Sequence, residues 1–303
     1  MTTHIPRKVV CTIIMLPALA VSAQQPGSTR QPDTVRLPFD GAQGTPVDGV
    51  HGRPFDSAQG RREAAATLVA RIQRADYEGD RSALQRLHDE LAPFSRHKDL
   101  APRVRYWQGF ALLRLVFNGF NEAADPKALE PDVRQALGAF EDGARQDPAF
   151  VDAKVGVITC LQTLLYLNRN DAARVQEFVS RILQLFKEAL SSAPDNPRLL
   201  SALGIQQWYS PPEQGGGQDI AMATFDEGLQ AARMEKGRAK DALEPSWGEP
   251  ELLMNLAWTN LSKKTPDVRA AEEYAKHALE LVPYWHYVRD ILMPKIQNAK
   301  EKS

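Results

Sequence analysis

The sequence predicts an all-α fold, a curved α-α superhelix of paired helices, and three observations predict it. First, a phrase of a small residue, a bulky one four places on, a small one three later and then a stop recurs four times. It reads Ala136, Phe140, Gly143, Pro148; then Ile182, Phe186, Ala189, Pro194; then Ala221, Phe225, Gly228, Arg233; and last Ala271, Ala275, Ala278, Pro283. Positions four and seven apart share one face of a helix, so each phrase describes a helix whose small side chains admit a close neighbour. Second, Ala, Leu, Glu, Arg and Lys, all good helix formers, dominate the periodic segments. Third, short alternating apolar runs bounded by turn residues, which mark strands, are missing.

The elements follow in order. Arg7 and Lys8 precede the apolar run 9–20, and Val21-Ser22-Ala23 supplies small residues where a signal peptidase cuts, so residues 1–23 read as a signal peptide and the mature chain as exported, periplasmic or extracellular. An uncleaved anchor is the alternative. Residues 24–60 read as a disordered, low-complexity linker rich in Gly, Pro, Gln, Asp and Ser, with the duplicated heptads PFDGAQG (38–44) and PFDSAQG (54–60). The helical-repeat domain then occupies 61–303. Its expected helices lie near 62–77, 80–93 and 101–121; 132–146, opened by Pro131; 149–168 with 171–193; 197–209 with 218–234; 249–263 with 267–281; and a capping helix at 284–299.

The phrase resembles the second helix of the tetratricopeptide repeat family, and the Leu-Gly or Leu-Ala pair of that family's first helix is matched by Leu203-Gly204 and Leu256-Ala257. The phrases start 46, 39 and 50 residues apart, against the family's ~34, Arg233 replaces one proline, and the bulky Tyr274 stands one place early. The resemblance therefore describes degenerate repeats over roughly residues 100–283, and it implies a TPR-like solenoid whose first helices line a concave groove.

Composition bounds the function. With the leader removed, Cys160 is the only cysteine, so no internal disulfide forms, and its apolar neighbours mark it as a packed thiol. The formal charge of −1 becomes −3 on losing Arg7 and Lys8, which gives no basic excess for nucleic acid. No later segment is apolar enough to span a bilayer. The zinc, acyl-transfer and phosphate-loop motifs are missing, and His88, Asp89, Glu90 and His97 read as a solvated face, so the sequence predicts a protein that is not an enzyme and takes no cofactor or metal.

Two irregular segments interrupt the pairs. Tyr209–Asp219, with two prolines and three glycines, reads as an exposed, mobile loop, and 236–250 as a long connection that serves binding or is merely tolerated. The candidate site is a polar and aromatic stripe apart from the core face. Arg103, Trp107, Arg114, Asn118 and Asn121 follow three- and four-residue steps on one helix, and Gln206, Gln207, Asn255 and Trp258 stand on later first helices. Arg and Asn grip a carboxylate or backbone, and Trp supplies contact area. The expected partner is a protein or peptide held in the groove of a scaffold. The alternative is a small-molecule-binding accessory of an envelope transport system, with an enclosed pocket between Trp107, Trp247 and Trp258. The aromatic run Tyr284–Tyr287 reads as the seam where the last helix docks, with Trp247 as its neighbour.

Overall fold

The computed structural model describes residues 57–236 and 241–302, so the expected signal peptide and all but the last four residues of the expected linker lie outside the described residues. The described residues form eleven α-helices, three short 3-10 or π-helical turns and no strand. Helix α1 (Ala58–Glu78) starts four residues before its expected start at 62, because Ser57 caps it and its hydroxyl accepts from the Gly60 amide at 2.9 Å. It pairs with α2 (Arg81–Leu91). Then come α3 (Ala101–Asn121) with α4 (Pro126–Gln146), α5 (Val151–Leu167) with α6 (Ala172–Ser192), α7 (Pro197–Tyr209) with α8 (Gln218–Lys236), and α9 (Glu249–Ser262) with α10 (Val268–Leu281). A π-helical turn, Tyr287–Leu292, runs directly into α11 (Met293–Lys300).

Local chemistry explains most of these boundaries. Side chains of Asp80, Asp171, Asn196 and Asp267 cap α2, α6, α7 and α10 by accepting from first-turn amides. The start of α4 differs from expectation. Asp125 accepts from the Lys127 amide at 3.0 Å and Pro126 fills the first position, so the helix begins there and Pro131 lies inside it. The second proline costs one intrahelical bond, and the better cap one turn earlier prevails.

The recurring phrase is the packing surface. Ala136, Ala189, Ala221, Ala271, Ala275 and Ala278 have no exposed surface, and Phe140, Ile182, Phe186 and Phe225 are buried beside them. The second helices carry these bulky residues, and glycines on the first helices receive them. A Cβ on Gly156 would stand 2.2 Å from the Phe140 ring, and one on Gly204 would stand 2.4 Å from the Phe225 ring. Helices α3, α5, α7 and α9 touch in sequence to form an inner row, while α4, α6, α8 and α10 contact mainly the inner helices that flank them. A row packed closely inside and spread outside curves toward its inner side.

The curved row closes. Its core has two clusters, one built from α1–α7 and the other from α8–α11, and each reaches into the other. Tyr77 of α1 packs edge-on against Trp285, with ring centroids 5.0 Å apart, and donates to Glu251 of α9 at 2.7 Å. The connection before α9 returns as a strap across the N-terminal helices. Asp241 pairs with Arg62, Glu244 pairs with Arg103 at 2.8 Å, the Trp107 indole donates to the Leu243 carbonyl at 2.8 Å, and the Trp247 indole donates to the Tyr106 hydroxyl at 2.7 Å. The strap therefore holds the two ends of the row together. Tyr209–Asp219 also folds back on α7. The Gly217 amide bonds the Gln207 carbonyl at 2.9 Å, and Gly216 is buried against Ser210, so only residues 212–215 project as a loop tip.

Candidate functional site

The inner row and the segment leading into the terminal helix line a half-open cavity of about 400 Å³. From α3 come Arg114, Phe117, Asn118, Phe120 and Asn121; from α5, Tyr166; from α7, Ile205; from α9, Met254, Asn255 and Trp258. Trp285 and Tyr287 border it from the segment that leads into α11, and Ala123, Ala124 and Pro126 form its lip. The volume lies in the range of small-molecule clefts, and the lining has their usual character, aromatic and aliphatic with a few polar groups.

Two features shape this lining. The widened turn at Tyr287–Leu292 carries Tyr287, whose hydroxyl burial pushes up to about 12. At the lip, α3 ends in a Schellman motif in which the Ala124 amide bonds Gly119 at 2.9 Å and the Ala123 amide bonds Phe120 at 3.1 Å. Ala123 takes φ 57°, a left-handed conformation that α1 gives to a glycine, Gly79 at φ 75°.

Beneath the cavity lies a buried charge cluster. Arg114 Nε stands 2.7 Å from Asp76 Oδ2, and Asn118 Nδ2 donates to both the Asp76 carbonyl and its Oδ1 at 3.2 Å. Asp76 is 2% exposed. Burial by itself lowers the Arg114 value, but Asp76, and then Glu251 and Tyr77, outweigh it and raise the guanidinium above its ordinary value. Burial holds the Glu251 carboxyl above the usual range, although Arg114 and the Tyr77 hydroxyl pull it down. Both Glu251 oxygens have protein partners, Tyr77 on Oε1 and the Gly248 amide at 2.9 Å on Oε2.

The structure brings five of the nine sequence candidates to the cavity: Arg114, Asn118, Asn121, Asn255 and Trp258. The other four lie elsewhere. Trp107 is fully buried, its indole bonded to the strap, and Arg103 is held between Asp147 and Glu244 with its guanidinium 4.0 Å over the Phe150 ring. Gln206 exchanges hydrogen bonds with Gln162 and Ser210 at 3.3 Å each, and the Gln207 Oε1 is buried away from the cavity.

The expected pocket between Trp107, Trp247 and Trp258 does not form. Trp247 packs on Phe110, itself against Trp107, whereas Trp258 pairs with Trp208 at 5.3 Å in the other core cluster. The same strap that buries Trp107 draws Trp247 away from the Tyr284–Tyr287 seam, where Tyr77 takes its place. The seam itself docks as expected, and it also lines the cavity through Trp285 and Tyr287. Tyr166, Phe117, Phe120, Ile205 and Met254 were not singled out as site residues by the sequence, because each is also an ordinary apolar position of a packed helix. Among the described residues no three His, Cys, Asp or Glu side chains gather as a metal site, and no helix is long and apolar enough to cross a membrane.

The architecture is a TPR-like α-α superhelix of degenerate helix pairs. No family model and no curated protein matches the chain. Two solved structures share the fold. The HusA haemophore from Porphyromonas gingivalis aligns with a TM-score of 0.51 at 17% identity, over 68% of this chain and 96% of its own. A thermophilic TPR protein of Thermus thermophilus aligns with a TM-score of 0.50, also at 17% identity, over 78% of this chain and 99% of its own.

Proposed function

We propose that the protein is an exported, non-catalytic binding protein that takes a small, largely apolar molecule into the cavity of its inner row. The observation that carries this reading is the closure of the row. With Tyr77 docked on Trp285 and the strap joined to α3, the first helices line a half-open pocket bounded at one end by Trp285 and Tyr287. Water released from such a lining favours an apolar guest by roughly 25 cal/mol for each Å² covered. The likeness to a haemophore supports a carrier of a flat apolar ligand, and the expected signal peptide at 1–23 supports work outside the cytoplasm.

A second reading keeps the partner a protein that inserts a short tail. It is favoured by Asn121 and Asn255, side chains of the kind that read peptide backbone, and by the TPR-like fold. One experiment separates the two. The mature protein is titrated with haemin, with naphthyl and medium-chain alkyl compounds, and with a library of short peptides, alongside Met254→Trp, which fills the cavity, and Leu183→Ala on exposed α6. The first reading expects small apolar compounds to bind wild type and Leu183→Ala and to fail with Met254→Trp. Binding confined to peptides moves the function to the second reading, and binding unaffected by Met254→Trp rejects the cavity.

A further inference from the structure

Arg114 is the one cation lining the cavity, and its one ion-pair partner among the described residues is Asp76. Its side chain is 14% exposed, so most of a guanidinium with five donors is held in low-dielectric surroundings. Asp76 meets it from the Nε side, and Glu251, the other nearby carboxylate, is taken up by Tyr77 and Gly248. Among the described residues no hydrogen bond engages its Nη nitrogens, and the guanidinium lies near the Phe110 and Phe117 rings at the edge of the cavity.

The molecule contains its own template for what suits such a fork. Arg198, buried on α7, holds two carboxylates at once. Asp152 sits on Nε at 2.7 Å and on Nη2 at 3.4 Å, and Glu235 bridges Nη1 and Nη2. One carboxylate on the Nε side and a second on the Nη pair is therefore an arrangement this fold builds and keeps. Arg114 has a carboxylate at the first of the two positions, Asp76 at 2.7 Å from Nε, although its buried Nε–H does not donate to it as that of Arg198 does to Asp152. A planar carboxylate matches the Nη pair bidentately, whereas a neutral carbonyl or an ester takes fewer and weaker bonds there.

We propose, resting on the cavity reading above, that the ligand carries one carboxylate that seats on the Nη groups of Arg114, with its apolar body against Trp258, Phe117 and Tyr287. Asp76 is then a positioning residue that aims the fork, and Asn118, bonded to Asp76, fixes Asp76 in turn.

The test uses the mature chain and matched probes, naphthyl and C8–C12 alkyl carboxylates, each beside its methyl ester and the corresponding primary amine. Binding is followed calorimetrically and by tryptophan fluorescence. Arg114→Ala alone would strand the Asp76 charge, so the working variant is the pair Asp76→Asn with Arg114→Gln, which removes both charges and keeps amides in place.

Wild type should bind at least one acid about 10- to 100-fold more tightly than its ester, as a charge-assisted fork contributes, and should bind the amine most weakly. In the double variant the acid-to-ester ratio should fall below about threefold while the ester's affinity stays within about threefold of wild type. Equal binding of acid and ester by wild type, both lost in Met254→Trp, overturns the carboxylate anchor and leaves the cavity reading standing. Binding of acids that survives Met254→Trp, or no binding by any probe, defeats both.

Discussion

Two buried arginines on the inner row make the instructive comparison. Arg198 and Arg114 both stand on first helices, both are far from exposed, and both are held charged by carboxylates that outweigh burial. Arg198 donates from all three nitrogens, to Asp152, Glu235 and the Trp247 carbonyl at 3.2 Å, and so joins α5, α7, α8 and the strap. Arg114 ion-pairs one carboxylate and lines a cavity. A saturated guanidinium serves the fold, whereas the carboxylate proposal assigns the unsaturated one beside the cavity to a ligand. Burial alone does not separate the two, and the count of partners does.

The sharpest break of this comparison is Arg198→Ala. It leaves the buried Asp152 without its cation, and the expected loss is about 3–5 kcal/mol of stability, measured by urea unfolding. A loss under about 1 kcal/mol would show that Arg198 is not the keystone described. Gly156→Ala comes next, because its Cβ would overlap the Phe140 ring; overpacking should cost about 1–3 kcal/mol and leave α5 helical by circular dichroism. The pair Asp76→Asn with Arg114→Gln should cost less than either single change, since the charges leave together, with the difference read from the four midpoints of the mutant cycle.

Glu251 sharpens the comparison through pH. A carboxyl whose folded value is raised prefers its proton in the folded state. Its contribution is therefore complete below the ordinary glutamate value of 4.5 and is lost as pH rises through the higher folded value. Against Glu251→Gln, wild type should lose relative stability with rising pH across that window, and parallel curves would contradict the raised carboxyl. The smallest effect belongs to the lip. Ala123→Gly relieves a left-handed alanine and should stabilise by about 1 kcal/mol, whereas Gly79→Ala, at the matching position of α1, should destabilise by at least as much.

Most helix boundaries were legible in the sequence because they are local. Asp171, Asn196-Pro197 and Asp267 announce starts that the structure keeps within a residue or two. The small-bulky-small phrase likewise names the buried faces, even across unequal spacings, because close approach needs small residues whatever the loop lengths. The stripe of Arg114, Asn118 and Asn121 was legible for the same reason, since helical period alone puts them on one face.

Trp107 and Arg103 belong to that stripe too, yet they lie under a strap that returns from residues 241–248. No local pattern states where so distant a segment lands. Ring closure hid the rest. Which aromatic of Tyr284–Tyr287 turns inward depends on Tyr77 docking from the other end of the chain, and on a π-helical turn that periodicity of 3.6 cannot anticipate.

The central claim is that binding occurs inside the closed row and not along its outer helices. Hydrogen–deuterium exchange of the mature protein, with and without a saturating naphthyl carboxylate, tests it directly. Added protection should concentrate at the end of α3 around Arg114–Asn121, along α9 at Met254–Trp258 and in the Tyr287–Leu292 turn, with the Arg198 cluster unchanged. Protection centred on α4, α6 or α8, with those inner segments unaffected, would contradict the account.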